Sequence, residues 1–383
     1  MKEQSRIRTG QSCAADPAAA VGEFFAAVGQ PDMALVVFFC SSAYDLAVVS
    51  AEMNRLFAGV PVVGCTSAGE IGPAGYRDHS LAGFSLPGGA CVAATARLDR
   101  LQEFDGDAGQ AFAHELAQQL DERAAGLDQR FGFLLIDGLS VREEPVAHAF
   151  QTGLGLIPLF GGSAGDDLHF ARTWIFHGGA FHSDAALLAL VATRFPLKIF
   201  QTQHFVCDEE RLVVTEAVPA TRVVKEINGL PAVAEYARLV GVKVEDLDPA
   251  VFAAAPVVVT LYGTDYVRSI QKANADGSLT FYSAIDEGLV LRIARGVDLV
   301  ANLKRAFAGL HEEVGAPQLV ISCDCILRNL EATNNKLKDE VGDIFRANRA
   351  VGFSTYGEQY QGVHVNQTLT GVAIGEEETG DAL

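Results

Sequence analysis

The chain has 383 residues, 49% of them hydrophobic, and a net charge of -19. This length favours two domains over a single core. An acidic surface repels phosphate backbones and anionic headgroups, which argues against nucleic-acid and membrane partners. The N-terminus lacks the apolar core of a signal peptide, and the longest apolar run, from Ala185, is shorter than the roughly 20 residues that cross a bilayer. With seven scattered cysteines, the composition predicts a cytoplasmic protein with reduced thiols.

The first half of the chain alternates between helical and strand patterns. Helical spacing occurs at residues 18–30, 44–57, 107–125 and 144–154. Apolar strand patterns occur at residues 33–42, 60–67, 80–87, 91–98 and 131–140. This alternation predicts βαβ units that form a partly parallel sheet covered by helices.

From about Ala171 the pattern becomes typical of antiparallel hairpins. Hairpin turns are predicted at Gly178–Gly179, Asn228–Gly229 and Asp276–Gly277. Further helices are predicted to start at Pro231 and to span about 298–313 and 336–347. The predicted fold class is therefore α/β (α+β).

We expect two packed modules with mixed β-sheets flanked by helices. The first module is predicted to cover residues 18–210 and the second residues 211–376. Residues 377–383 form an acidic tail that we expect to be disordered.

One local pattern occurs three times. A buried strand runs into small residues, a glycine and an acid in "VVGCTSAGEI" (62–71), "LFGGSAGDDL" (159–168) and "VGFSTYGE" (351–358). Ligands of α/β sheets bind beyond the carboxyl ends of strands, where these residues would lie. The same residues are also common in simple turns, and three copies are consistent with an internal duplication that has no ligand role.

These stretches resemble the FIST sensory family. The resemblance also includes "VVKEINGLPA" and the closing "AVGFSTYGEQYQGVHVNQTLTGVAIG", and it extends from about Ala18 to Gly375. It implies paired N- and C-terminal FIST modules in bacterial signal transduction. Such modules sense small molecules and signal to kinases, cyclic-di-GMP enzymes or chemotaxis receptors.

Within the family, "ISCDCILRNLE" and the histidine of "FQTQHFVCD" resemble the haem-binding, nitric-oxide-sensing branch (NosP). This resemblance implies haem b with its iron as cofactor and nitric oxide as the signal. It also implies a partner such as a histidine kinase of a two-component system, with a link to biofilm control. The alternative hypothesis is a haem-free FIST module that senses a small metabolite such as an amino acid.

His204 is the predicted axial ligand of the haem iron. It follows the apolar strand "LKIF" near the expected module boundary, with Phe200, Phe205 and Cys207 close in sequence. Ligand sites are common at such junctions. As a residue at a strand end, its truncation is expected to cost only about 1 kcal/mol of stability.

His364 is the second candidate. In "VHVNQTLTG", period-two alternation places His364, Asn366 and Thr368 on one strand face. We expect these three side chains to line a cavity, with His364 and Asn366 in a cofactor-binding or general ligand pocket.

The sequence offers weaker signals for other chemistry. Cys323 and Cys325 share a strand face, where they form a soft-metal or redox pair or, more commonly, small core residues. No P-loop, HExxH or GxGxxG motif is present. "GGSAG" (161–165) has the GxSxG spacing, but we do not interpret it as a nucleophile elbow, because no base is visibly paired with it. The sequence therefore predicts a sensor and not an enzyme.

Overall fold

The structure is a computed structural model that describes residues 6–261 and 264–377. It confirms the predicted α/β class, with mixed sheets and flanking helices. Apart from Glu377, the acidic tail that we expected to be disordered lies outside the described residues.

Three copies of one unit make up most of the chain. Each copy has two helices or helical segments between three strands, then a short hairpin and a closing strand. The first comprises β1 (Arg8–Ser12), α1 (Pro17–Val28), β2 (Met33–Ser41), α2 (Leu46–Leu56), β3 (Val62–Ser67), hairpin β4 (Glu70–Gly72) and β5 (Gly75–Arg77), and β6 (Leu81–Pro87). The second comprises β7 (Cys91–Asp99), α3 (Gly106–Asp121), β8 (Gln129–Ile136), α4 (Glu143–Leu154), β9 (Leu159–Ser163), hairpin β10 (Ile175–His177) and β11 (Ala180–His182), and β12 (Ala185–Thr193).

The third copy is interrupted by an inserted region, which we define as residues 205–296. The copy itself comprises β13 (Leu197–Thr202), α7 (Leu299–Val314), β22 (Leu319–Cys325), α8 (Ile326–Asn334), α9 (Lys338–Ala347), β23 (Ala350–Thr355), hairpin β24 (Glu358–Tyr360) and β25 (Val363–Val365), and β26 (Leu369–Ile374). The inserted region comprises β14 (Phe205–Val218), β15 (Val223–Ile227), β16 (Leu230–Pro231), α5 (Ala232–Val240), α6 (Pro249–Ala254), β17 (Val257–Leu261), β18 (Thr264–Arg268), β19 (Ile270–Ala273), β20 (Leu279–Phe281) and β21 (Val290–Gly296).

The three copies build three six-stranded sheets with the same strand order. Their orders are β1-β6-β2-β3-β10-β11, β7-β12-β8-β9-β24-β25 and β13-β26-β22-β23-β4-β5. The central pairs β2–β3, β8–β9 and β22–β23 are parallel, and their outer neighbours are antiparallel. In every sheet four strands come from one copy and the hairpin comes from another, so the three copies exchange hairpins cyclically.

The exchange explains why the sequence pattern occurs three times. Each strand–glycine–acid stretch lies where the chain leaves the parallel pair of its own sheet and enters the hairpin of another. The three ends meet: Ala68 donates its N–H to the carbonyl of Ser354 (3.1 Å), Gly165 to Thr66 (3.1 Å) and Ser163 to Gly357 (2.8 Å). The pattern is therefore the mark of an internal repeat.

One hydrophobic core contains side chains from all three copies. Phe39 of β2 stacks on Phe353 of β23 with 4.5 Å between ring centroids, and Phe133 of β8 stacks on Phe160 of β9 at 4.9 Å. These rings belong to one continuous buried cluster. No copy can bury its own sheet face without the other two.

Two buried glutamates fasten the hairpins of the first and third copies. The Ser67 hydroxyl donates to Glu70, whose second oxygen accepts the N–H (2.9 Å) and hydroxyl (2.7 Å) of Ser80. In the third copy, the Thr355 hydroxyl donates to Glu358 (2.5 Å), and the N–H (3.2 Å) and hydroxyl (2.7 Å) of Thr368 donate to its second oxygen. Each acid thus joins the end of one strand to the start of another.

In the second copy, the acid that makes comparable bonds follows β8 and does not belong to the hairpin. Asp137, at the end of β8, accepts the Thr173 hydroxyl (2.5 Å) and the N–H of Asp184 (2.6 Å). The loop after β9 is longer here, and Asp166 holds it by accepting the N–H groups of residues 170, 171 and 172 at 2.7–2.9 Å. The three copies are thus more similar in the sequence pattern than in the hydrogen bonds that the acid of the pattern accepts.

The inserted region joins the third copy through two adjacent chain segments. Val297 follows the end of β21, and His204 precedes the start of β14. The N–H of Val297 donates to the carbonyl of His204 at 2.7 Å. The predicted module boundary at residues 210 and 211 lies within β14.

None of the helices in the described ranges has the length and apolar composition to span a membrane.

Burial of the two glutamates makes the stability of the protein depend on pH. It raises the pKa of both Glu70 and Glu358 to about 8. A folded-state pKa above the unfolded value means that the folded protein binds the extra proton, so this stability is complete at low pH and is lost as pH rises to about 8. We expect Glu358→Gln to flatten the decline between pH 5 and 8, which amounts to at most roughly 1.4 kcal/mol per pH unit for each carboxyl.

Thermal unfolding of the wild type, Glu358→Gln and the exposed control Glu312→Gln at pH 5–8.5 tests this. A glutamine keeps an acceptor for the Thr368 N–H, so the fold is retained. An unchanged pH slope in Glu358→Gln contradicts the assignment.

Candidate ligand site at the junction of the repeats and the inserted region

Polar side chains from three parts of the chain meet beside hairpin β24–β25. Arg222 of the inserted region donates from Nη2 to Glu143 (2.6 Å) and Glu144 (2.5 Å) at the start of α4. The other Glu144 oxygen accepts the N–H of Ala284 at 2.6 Å. Arg268, the last residue of β18, donates from Nη1 to the carbonyl of His364 at 3.1 Å. These bonds tie the second copy, the third copy and the inserted region together.

Several buried polar atoms at this place have no hydrogen-bond partner in the part of the chain that the structure describes. They are His364 Nε2, both amide atoms of Asn366, Gln359 Oε1, Arg268 Nε and Ser283 Oγ. We call these five residues the junction cluster. Each side chain is more than nine-tenths buried. Native proteins leave few buried polar groups unpaired, and each costs about 1–3 kcal/mol.

The protonation state of His364 follows from its burial and from its contact with Gln359. Its Nδ1 lies 3.2 Å from the amide nitrogen of Gln359, which also donates to Ser163 Oγ (2.9 Å). Burial lowers the pKa of His364 to about 4, so the ring is neutral at physiological pH. Because Nδ1 accepts, the proton is on Nε2, and the unpartnered atom is a donor.

Gly357 permits the close approach of the hairpin to this ring. A Cβ at this position would lie 2.7 Å from His364 Nε2 and 3.2 Å from Asn366 Nδ2. Both distances are too short for an unstrained side chain. The glycine of the third sequence pattern thus leaves space for the two predicted site residues.

The electrostatics of the junction combine paired and unpaired charges. Burial raises the pKa of Glu143 to about 7, against the opposing effect of Arg222. Burial lowers the pKa of Arg268, whose guanidinium nevertheless stays charged, as arginine does in proteins. The junction therefore holds one cation with two acidic partners and one cation with none.

A strained loop and three aromatic rings lie next to the junction cluster. Phe170 stacks on Tyr356 at 4.7 Å and lies 6.2 Å from Tyr282, which precedes Ser283. Within this loop, Asp167, Leu168 and Phe170 have φ between 50° and 67°. Such strain in non-glycine residues is concentrated at ligand clamps and active sites. Tyr356 and Tyr282 directly precede Gly357 and Ser283 in the chain, so this aromatic group adjoins the junction cluster.

The structure brings together two of the predicted site residues, His364 and Asn366, at Gly357. The alternation that we used to find them is wrong beyond Val365, because β25 ends there and Gln367 has φ +52°. His364, Asn366 and Thr368 are all buried, so none faces bulk water. Thr368 does not belong to the junction cluster, because its hydroxyl donates to Glu358.

His204 lies elsewhere, where the inserted region joins the third copy. Its Nε2 is 2.8 Å from Glu331 and its Nδ1 is 3.0 Å from Arg328, both on α8. Because a guanidinium can only donate, Nδ1 accepts and Nε2 carries the proton. Arg328 also binds Asp324 (2.7 Å), which accepts from Tyr76 (3.3 Å). Both ring nitrogens of the predicted iron ligand are therefore engaged.

A cavity of about 550 Å³ adjoins this network. Its lining includes Gly296, Val297, Leu299, Lys304 and Glu331. Glu331 therefore connects the cavity wall to the His204 ring. Within the described ranges, no group of three or more His, Cys, Asp or Glu side chains is arranged to hold a metal ion.

Sequence reasoning missed Arg268, Ser283 and Gln359 as members of the junction cluster. The available signal was Arg268 within the strand pattern "YVRSI", where a cation stands among residues typical of a buried strand. Cys323 and Cys325 are both buried, and burial raises the pKa of each thiol well above its usual range. Thiols in that state are core groups rather than reactive ones.

Gly357→Ala is expected to destabilise the protein by about 1–3 kcal/mol, as inserting a methyl group into packed surroundings does. The control is Gly309→Ala in α7, where an added Cβ meets nothing within 4 Å. There alanine is expected to stabilise by roughly 0.5–1 kcal/mol. Chemical denaturation measures both, and equal effects would show that the ring does not press on Gly357.

His204→Ala is expected to cost more than its position at a strand end indicated. The ring is buried, and its loss removes one partner each from Arg328, which keeps Asp324, and from Glu331, at a cost of about 1–3 kcal/mol. His114→Ala on exposed α3 is the control and should change stability by less than about 0.5 kcal/mol. Matching denaturation midpoints for the two variants would contradict the network.

Comparisons with known proteins bear on the whole chain. The FIST N domain matches residues 34–230, and the FIST C domain matches residues 232–361. No curated protein matches the chain. Among solved structures, a cyanuric acid hydrolase from A. caulinodans is similar over 97% of this chain and 100% of its own, with 10% identity and a TM-score of 0.41, a likeness too weak to carry an argument. The two domain matches, which together extend over most of the residues described above, show that the chain belongs to the FIST family of sensory domains.

Proposed function

We propose that this FIST protein is a non-catalytic sensor that binds a small polar metabolite at the junction cluster. The observation that carries the proposal is the set of buried polar atoms without partners on Arg268, Ser283, Gln359, His364 and Asn366. A ligand with matching donors and acceptors would form hydrogen bonds with these atoms. Those bonds would stabilise the folded protein.

The position of the cluster gives the binding event a route to a conformational signal. Gln359 and His364 belong to hairpin β24–β25, which completes the sheet of the second copy, and Asn366 directly follows it. Arg268 and Ser283 belong to the inserted region. A ligand that contacts both favours the arrangement in which they are closest. Binding would then shift how the inserted region packs on the repeats.

FIST domains signal through other proteins, and we propose a histidine kinase or comparable signalling protein as the partner. The net charge of -19 makes duplex DNA a poor partner, because phosphates repel acidic surfaces. The partner would read the packing of the inserted region against the repeats.

Haem-based detection of nitric oxide is a second candidate. What favours it is the cavity of about 550 Å³ beside the His204 network, where Leu299 and Val300 supply apolar surface. Lys304 already donates to Glu340 (2.9 Å), and Asp298 and Glu331 add further acids to the lining, which would repel haem propionates. The histidine does not fit this role in the described conformation, since Glu331 and Arg328 hold both ring nitrogens. Iron ligation would require one of these bonds to break first.

The first test is a ligand screen by thermal shift on the wild type, His364→Ala and the exposed control His114→Ala. Metabolites that stabilise the wild type and His114→Ala are expected to lose at least tenfold in affinity for His364→Ala, because the ring supplies a buried donor. Ligands that bind His364→Ala unchanged would place the site elsewhere.

Asn366→Leu separates a binding group from a structural one. Both Asn366 amide atoms are buried and unpaired, so the apolar side chain of similar volume is expected to raise the free energy of unfolding without ligand by about 1–3 kcal/mol. The same variant should lose ligand binding. Lower stability of Asn366→Leu would instead show that the amide supports the fold.

Haem binding is measured separately by the Soret absorbance per protein after haem is added. A Soret band that persists in His364→Ala and disappears in His204→Ala supports the haem candidate. A colourless wild type would rule it out and leave the metabolite proposal standing.

A further inference from the structure

We propose that the ligand of the junction cluster is a small carboxylate, whose negative charge is neutralised by Arg268. This inference rests on the proposed function and adds the chemical class of the ligand. It is carried by a contrast between two buried arginines at the same junction.

Arg222 and Arg268 are equally buried, each with 7% of its surface exposed. Arg222 has two carboxylate partners, at 2.6 Å and 2.5 Å. Arg268 donates once, to the carbonyl of His364, its Nε has no partner, and it forms no ion pair among residues 6–261 and 264–377. One guanidinium is thus neutralised by the fold and the other is not.

Glu144, whose charge acts on Arg268, forms no ion pair with it. Glu144 is close enough to favour the charged form of Arg268, but its two oxygens accept from Arg222 and from the N–H of Ala284. A buried cation without a counter-charge is costly, and arginine cannot lose its proton to escape the cost. A carboxylate from outside the chain would give Arg268 the direct ionic partner that the described residues do not supply.

The unpaired donors of the junction cluster match a carboxylate. A carboxylate is an acceptor with about four lone-pair sites, and the guanidinium fork suits it better than any other cationic side chain. His364 Nε2–H and the Asn366 amide N–H groups are further donors without acceptors. The bond from Arg268 to the His364 carbonyl holds the arginine and the histidine side by side.

The remaining unpaired atoms constrain the rest of the ligand. Gln359 Oε1 and Asn366 Oδ1 are acceptors, and Ser283 Oγ can accept or donate. A ligand that carries a donor beside its carboxylate satisfies both sets. Small hydroxy carboxylates have this combination, so they serve as probes.

The experiment compares glycolate and lactate with their uncharged amides, glycolamide and lactamide. Binding is measured by calorimetry and thermal shift on the wild type, Arg268→Met and the control Arg346→Met, an exposed arginine on α9. We expect both carboxylates to bind the wild type and Arg346→Met at least tenfold more tightly than the amides. Arg268→Met should lose that preference and, without ligand, unfold at a temperature no lower than the wild type.

The outcomes separate this inference from the proposed function. Amides that bind as tightly as carboxylates, with binding lost in His364→Ala and kept in Arg268→Met, would overturn the carboxylate and leave the metabolite site in place. No response of the wild type to either carboxylate at millimolar concentration overturns the inference. A strong loss of stability in ligand-free Arg268→Met also overturns it, because it would make the arginine a structural group.

Discussion

The exchange of hairpins among the three copies is the constraint on which the rest of the structure depends. Each parallel strand pair is completed by a hairpin from another copy, so no sheet exists without its neighbours. The three sets of strand ends therefore meet at one place, and the small residues of the sequence pattern are needed there. Phe39, Phe133 and Phe353 become neighbours for the same reason.

The candidate site is a result of this exchange. Hairpin β24–β25 belongs to the third copy in sequence and to the second in space, which brings His364 toward Glu144 at the start of α4. The inserted region then adds Arg222 and Arg268 from the outside. A group of polar atoms assembled from three separate parts of the chain responds to changes in any of them.

Much of the local structure could be predicted from the sequence, because strand and helix periodicity are local signals. The α/β class, the hairpin at Gly178–Gly179 and the helix after Pro231 followed from it. The hairpin exchange could not, since it changes which sheet a strand joins without changing its pattern. His204 was predicted as an open ligand because sequence neighbours say nothing of Arg328 and Glu331 on α8. Arg268 was missed because a cation within a strand pattern is a weak signal until the structure shows that it is buried and has no ion pair among the described residues.

The hydrogen bond between His204 and Val297 also indicates how a chain of this fold can accept an insertion. The two ends of the inserted region lie side by side, so a segment of any size can occupy the gap without disturbing the sheets on either side. In the other two copies the corresponding connections, from Ser12 to Pro17 and from Asp99 to Gly106, are short. The same fold thus has three equivalent connections that can accept an insertion, and among the described residues the third contains the inserted region.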